Sequence, residues 1–241
     1  MTNLIYQLDS YTQSFEAKVI QVDLENHGLI LDQTAFFPGG GGQPSDIGFL
    51  MHDRTRYLVS RARKIGSDVL HLLDGDESLP PTGSVIKGHI DWNRRYQLMR
   101  THTAMHILCG VIFRDYGAQV TGGDMDPLHG RMDFEFETMR RELVEEIQSA
   151  INKEVTSARD VRVSILPRAE AFQIPDLIRT KINLLPEGIQ EVRVVEILGL
   201  DLQADGGTHV KNTSEVGNIR VTEYKSKGRI NKRIYVELSE Q

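Results

Sequence analysis

The chain has 241 residues, with 28 basic and 34 acidic side chains for a net charge of −6, and 39% of its residues are hydrophobic. That balance suits a folded chain long enough to bury its own core and argues against disorder. No apolar run approaches the 18 or more residues of a membrane span, and the first residues lack a basic region followed by an apolar block. One cysteine, Cys109, excludes an intrachain disulfide framework and a cysteine-only zinc site. A cytoplasmic protein, away from membranes and with no obligate protein partner, is the expectation.

In chain order, residues 1–90 read as short strands broken by turns: Phe15–Val22, Leu29–Leu31, Arg56–Val59, Val69–Leu73 and Ser84–Ile90 are β-branched or alternating. Arg94–Phe113 turns helical, with Leu98, Met105, Leu108 and Ile112 at three- and four-residue steps, and Trp92 opens the region. Glu137–Ala158 is a second helix, with Leu143, Ile147 and Ile151 on one face. Strands then return: Val192–Ile197, followed by a hairpin of Asn218–Tyr224 with Arg229–Leu238. The architecture expected is α+β: a small β-barrel-like N-terminal module (1–90), holding a glycine-rich loop, packed on a helix-and-sheet domain (91–241).

Three features carry chemistry. His102 and His106 stand four residues apart on a helix, so both imidazoles can reach one metal ion; the same spacing also fits an ordinary polar face. The glutamate of the zinc-protease pattern H-E-x-x-H is missing, which removes that chemistry. Asp205 and His209 bracket two glycines after a strand, so a carboxylate and a third imidazole can complete a tetrahedral site; Asp205 can equally cap the turn. That donor set suits zinc, though it excludes other divalent metals less firmly than thiolate would. The third feature is the glycine run 39–42 between Phe36-Phe37-Pro38 and Gln43-Pro44, a row of bare amides able to lie against a ribose, phosphate or carbonyl oxygen. It matches neither G-x-x-x-x-G-K-[ST] nor G-x-G-x-x-G. Cys109 lies off the His102–His106 face and reads as a core hydrophobe. His27, His52, His71, His89 and His129 lack partners at ligand spacing and read as surface or strand residues.

The strings T-A-F-F-P-G-G-G-G-Q-P-S-D-x-G from Thr34 to Gly48, R-x-H-T-A-x-H from Arg100 to His106 and D-G-G-T-H from Asp205 to His209 occur in that order. Together they resemble the alanyl-tRNA editing family: the editing domain of alanyl-tRNA synthetase and its free-standing AlaX-type relatives, here the medium-sized form. The resemblance spans almost the whole chain. It implies an α/β-sandwich-type editing domain with one zinc ion held by His102, His106, Asp205 and His209. It further implies hydrolysis of tRNA(Ala) mischarged with serine or glycine, with the acceptor end of tRNA(Ala) as partner. Thr34 and Gln43 would face the aminoacyl group, and the amides of Gly40, Gly41 and Gly42 would meet its carbonyl oxygen. Arg94, Arg95 and Arg100, with Lys225, Lys227, Arg229, Lys232 and Arg233, are the candidates for acceptor-stem phosphates. The sequence departs from the family where Asp205 replaces the usual cysteine, which opens both the metal's identity and its fourth ligand. Editing of another mischarged tRNA, such as Ser-tRNA(Thr), and a non-catalytic tRNA-binding module are the competing readings.

Overall fold

The computed structural model describes residues 1–180, 185 and 188–240. It divides into two compact units, Met1–Tyr96 and Gln97–Gln241, a little beyond the border near Asp91 read from the sequence. The secondary structure is sheet-rich with few helices, an α+β fold. No helix among the described residues is long and apolar enough to cross a membrane.

In the first unit, β1 (Asn3–Leu4), β2 (Ser14–Asp23), β3 (Gly28–Leu31), β4 (Gln33–Thr34), β5 (Gly48–His52), β6 (Thr55–Ile65), β7 (Asp68–Asp74) and β8 (Val85–Ile90) precede the long helix α1 (Trp92–Tyr116). Six of these strands close a barrel in the order β2-β3-β7-β6-β5-β8, and β1 pairs with β4 beside it. Alternation drives the closure: Phe15, Ala17 and Val19 of β2, with Tyr57, Val59 and Ala62 of β6, point inward onto Leu31, Leu50, Val69 and Ile86. Strand β5 escaped the sequence reading because its pairing depends on an absent side chain. A Cβ on Gly48 would stand 2.1 Å from the carbonyl oxygen of His89 on the neighbouring β8.

Two buried polar contacts organise this unit. The imidazole of His71 lies wholly buried against Phe36, with Nδ1 3.1 Å from the Leu29 carbonyl oxygen and Nε2 2.8 Å from Thr34 Oγ1. The second is an ion pair between Arg95 and Asp46, both essentially without solvent exposure. Arg95 also donates to the carbonyl oxygens of Ser10 and Ala35, while Asp46 accepts from the Phe37 amide at 2.6 Å. Helix α1 starts at Trp92 because Asp91 caps it, its carboxylate accepting from the Arg94 amide. The cap and the ion pair together tie the first turn of α1 to both flanks of the glycine loop.

In the second unit, β9 (Val120–Asp126), β10 (His129–Glu135), α2 (Arg141–Thr156), β11 (Val161–Pro167), α3 (Arg168–Ala171), β12 (Glu191–Ile197), β13 (Asp201–Ala204), β14 (Ile219–Ser226) and β15 (Asn231–Leu238) follow α1. They form an antiparallel four-stranded sheet, β14-β15-β10-β9, and a three-stranded one, β11-β12-β13. Helix α2 lies against β14, burying Val144, Ile147, Ile151 and Val155. Leu143, expected on that face, is only half-buried, one position off the stripe. Helix α1 is buried on every side from Leu98 to Ile112, which a one-sided apolar pattern does not announce. Glycines admit it: a Cβ on Gly130 would stand 3.0 Å from Met105 Sδ, and one on Gly110 2.9 Å from Leu200.

Replacing Asp46 by Ala should cost about 3–5 kcal/mol in urea unfolding, because it strands the Arg95 guanidinium in the interior. Burial pushes the His71 pKa from 6.5 down to about 4. The unfolded chain therefore takes up a proton below about pH 6.5 that the folded chain refuses until about pH 4. Stability should fall as the pH drops through that window, by up to about 1.4 kcal/mol per unit from this group. His71→Gln should flatten that slope.

Candidate metal centre

His102 and His106 project from consecutive turns of α1 with ring centroids 5.1 Å apart, and His209 stacks on His102 at 4.2 Å. Asp205 completes the group: one ligand atom from each of the four residues lies within 4.8 Å of every other. All three histidines are buried and the carboxylate nearly so. The loop after β13 brings Asp205 and His209 here. Asp205 Oδ2 caps the loop by accepting from the Gly207 amide at 2.7 Å and also contacts His209 Nε2 at 3.0 Å. Its other oxygen, Oδ1, faces His102 Nε2 at 3.5 Å and His106 Nε2 at 4.0 Å.

The electrostatics follow from putting one carboxylate among three imidazoles. Burial alone would raise the Asp205 carboxyl, but the charges of His102 and His209 and the His209 hydrogen bond hold it well below the usual range. Burial pushes His102 well down and His209 to about 4, so both offer bare nitrogens. His106 goes the other way: burial opposes its proton, yet its hydrogen bond to Asp201 and the charges of Asp205 and Asp201 raise its pKa.

Two supporting side chains escaped the sequence reading. Asp201 Oδ2 lies 3.1 Å from His106 Nδ1 and accepts from Gln203 Nε2 at 2.6 Å. A carboxylate there keeps the proton on Nδ1 and turns the Nε2 lone pair toward the cluster. Thr103 Oγ1 lies 3.1 Å from His209 Nδ1 and fixes the orientation of that ring. The signal was present but unreadable in isolation: Asp201 reaches His106 because Gly110, one turn further along α1, lets Leu200 and Asp201 approach the helix. Three imidazoles and one carboxylate fit a tetrahedral divalent cation, which needs ligand bonds of about 2.0–2.2 Å. Cys109 is buried, accepts from Gln203 at 3.3 Å and has its thiol pKa pushed up by burial, so it stays a neutral packing residue.

The remaining predicted residues fall into committed and uncommitted sets. Thr34 and Gln43 are buried in the first unit, Thr34 on His71. All four loop glycines hold positive φ, from 60° to 143°, and Gly40 and Gln43 exchange reciprocal 3.0 Å backbone bonds around Gly41-Gly42. The Gly40 amide is therefore spent inside the turn, and among the three proposed donors Gly41 and Gly42 are the two not used there.

Most expected phosphate contacts need correction. Arg95 is consumed by Asp46, and Arg100 is buried and donates to the carbonyl oxygens of Val216 and Ser239. Lys232 is buried, its Nζ on the carbonyls of Gly228 and Arg229, and Arg233 pairs with Asp133 at 2.6 Å. Lys225 pairs with Glu223 at 2.9 Å. Arg94 is half-buried, while Lys227 and Arg229 stay exposed at the hairpin tip.

Comparison with known proteins defines the class. Residues 3–94 match the family described as tRNA synthetases class II (A), and residues 192–235 match the threonyl and alanyl tRNA synthetase second additional domain. The chain is 40% identical over 239 residues to the alanyl-tRNA editing protein AlaX-M of Saccharolobus solfataricus, covering 98% of each. It is 37% identical over 242 residues to that of Methanosarcina barkeri, covering 99% of each. It is 38% identical to the alanine–tRNA ligase of Pyrobaculum aerophilum, over 91% of this chain and 25% of that one. These matches place the chain among proteins related to the editing domain of alanyl-tRNA synthetase. The chain belongs to the alanyl-tRNA editing family of AlaX-M proteins.

Asp201→Asn should weaken binding of a divalent metal by about 10–100-fold, measured by competition with a chromogenic chelator, and leave the thermal stability of the metal-free protein nearly unchanged. A metal affinity equal to the native value would show that the Asp201 contact does not tune the site.

Proposed function

We propose that this chain hydrolyses, in trans and in the cytoplasm, the ester of tRNA(Ala) mischarged with serine. Membership of the AlaX-M family supplies the reaction class, and the single observation that carries the chemistry is the buried cluster of three imidazoles around Asp205. His102, His106, Asp205 and His209 would hold a divalent cation, zinc by the donor set, and that ion when bound supplies Lewis-acid stabilisation of negative charge. An aminoacyl ester is already activated, so what remains for the chain is placement. The amides of Gly41 and Gly42, which the Gly40–Gln43 bridge does not use, are the donors for the ester carbonyl oxygen as negative charge builds.

Selection of serine is the task of Thr34. A carbonyl oxygen only accepts, so His71 Nδ1 donates to Leu29 and its bare Nε2 accepts the Thr34 hydroxyl proton. The Phe36 amide donates to the same oxygen at 3.1 Å. Thr34 is left with one lone pair and no proton to give. It therefore favours an aminoacyl side chain that donates, the serine hydroxyl, and offers alanine nothing. Forgoing one satisfied polar contact costs about 1–3 kcal/mol, a factor of about 5–150 that spares correctly charged tRNA(Ala).

Release of labelled serine from Ser-tRNA(Ala), with Ala-tRNA(Ala) and Ser-tRNA(Thr) alongside, tests the reading. The native protein should clear Ser-tRNA(Ala) alone, and His106→Ala should lose this activity. Thr34→Val should cut the preference for serine over alanine by about 5–150-fold. Clearance of Ser-tRNA(Thr) instead would keep the chemistry and reassign the RNA. Clearance of none by metal-replete protein would leave a tRNA-binding module.

A further inference from the structure

Five of the eight sequence-chosen phosphate contacts are either buried or paired with an acid, Lys225 at the hairpin among them, and of that set Lys227 and Arg229 stay exposed. A longer row of unpaired cations lies on the outer face of the barrel. Strand β6 and the turn before it hold Arg54, Arg56, Arg61, Arg63 and Lys64, with no acid between them. All five side chains are exposed, and none forms an ion pair among the described residues. Asp23, whose carboxyl is lowered chiefly by hydrogen bonds from Asn26, feels Arg63 as its weakest influence. The β6 residues that point inward, Tyr57, Val59 and Ala62, are core, so pleating forces Arg56, Leu58, Arg61 and Arg63 outward, and the register shift between Val59 and Arg61 keeps the last two on that face.

The same face carries flat rings. The Arg56 guanidinium lies 4.0 Å over the Phe49 ring, and Phe49 stacks on His89 at 4.7 Å and 19°, its registered partner on β8. Lys87 sits beside Met51, which itself faces Arg56 across β5. Leu58, paired with Phe49, is 48% exposed. A guanidinium stacked on a ring keeps its N–H edges free for phosphate oxygens while its plane extends a stacking surface for a base. Unpaired cations interleaved with stacked rings form the kind of surface that tracks a nucleic-acid backbone and stacks bases without reading their sequence. An acidic protein would be matched by the cations alone and would leave the Arg56–Phe49–His89 stack without a purpose.

We propose that the outer face of β5, β6 and β8 binds the body of the tRNA, through backbone phosphates on Arg56, Arg61 and Arg63 and through stacking on the Phe49–His89 pair. The proposal takes its RNA from the editing reading above, but binding is separable from hydrolysis. The test is anisotropy of fluorescein-labelled, uncharged tRNA(Ala) between 50 and 200 mM KCl. The variants are Arg56→Gln/Arg61→Gln/Arg63→Gln and a charge-matched control on the second unit, Arg141→Gln/Lys153→Gln/Arg220→Gln. The barrel variant should bind about tenfold more weakly, with a salt slope smaller by about two to three, while the control binds as native. Phe49→Ala should weaken binding without changing the slope. If the barrel variant binds as tightly and with the same slope as native, or if the control weakens binding equally, the proposal falls. The first result would leave the face to an acidic protein or to solvent. Binding that depends on β6, in a protein that releases serine from no tRNA, would keep this surface and overturn the editing reading.

Discussion

Everything around the candidate centre depends on keeping one carboxylate charged inside the protein. An ionised Asp205 would be expelled from so buried a place unless its oxygens were met by donors or by positive charge. Oδ2 is held by the Gly207 amide and His209 Nε2, with Arg193 3.5 Å away, while Oδ1 is left facing His102 and His106. The histidines in turn have to stay neutral and aimed, which burial accomplishes for His102 and His209 and the Thr103 and Asp201 contacts accomplish for orientation. Where the family commonly has a thiolate, this chain keeps the negative charge but gives it two oxygens, one anchoring the loop and one free to face a cation.

The first unit solves a parallel problem with an ion pair. A loop whose four glycines all sit at positive φ has no side chains to hold it. Its shape is imposed from its ends by Asp46, which grips the Phe37 amide and Arg95 together. Arg95 thereby ties the loop's position to the first turn of α1. Cation content and RNA contact are thus separate matters in this chain. Arg95 and Arg100 serve architecture, while a row of unpaired cations lies on the barrel.

Membership of the AlaX-M family makes the chemical problem one of alanyl-tRNA editing, and on the reading proposed above the amino acid to be removed is serine. Alanine differs from serine by one hydroxyl, so discrimination has to come from a polar group whose own hydrogen bonds are already decided. The His71–Thr34–Phe36 arrangement is of that kind, because a neutral imidazole whose Nδ1 already donates to Leu29 can only accept at Nε2. The same burial that makes His71 acid-labile makes the direction of the Thr34 proton definite.

Local spacing alone marked the helical histidine pair, the glycine turn with its carboxylate and imidazole, the glycine run, most barrel strands and both long helices. Each is a pattern of neighbours in sequence, where periodicity and turn chemistry speak directly. The structure alone decided what joins residues distant along the chain. Asp201 supports His106 only because Gly110 admits Leu200 and Asp201 to the helix, and β9 and β10 were invisible because their glycines make room for Met105 instead of displaying a strand pattern. His71, without any partner at ligand spacing, became the fixed acceptor for Thr34 across 37 residues of chain. Arg95, Arg100, Lys232 and Arg233 looked like free cations because a charge in sequence carries no mark of the acid or carbonyl that will meet it. Which polar groups are spent and which remain to bind is settled by desolvation and pairing in three dimensions, and those exist only once the chain has folded.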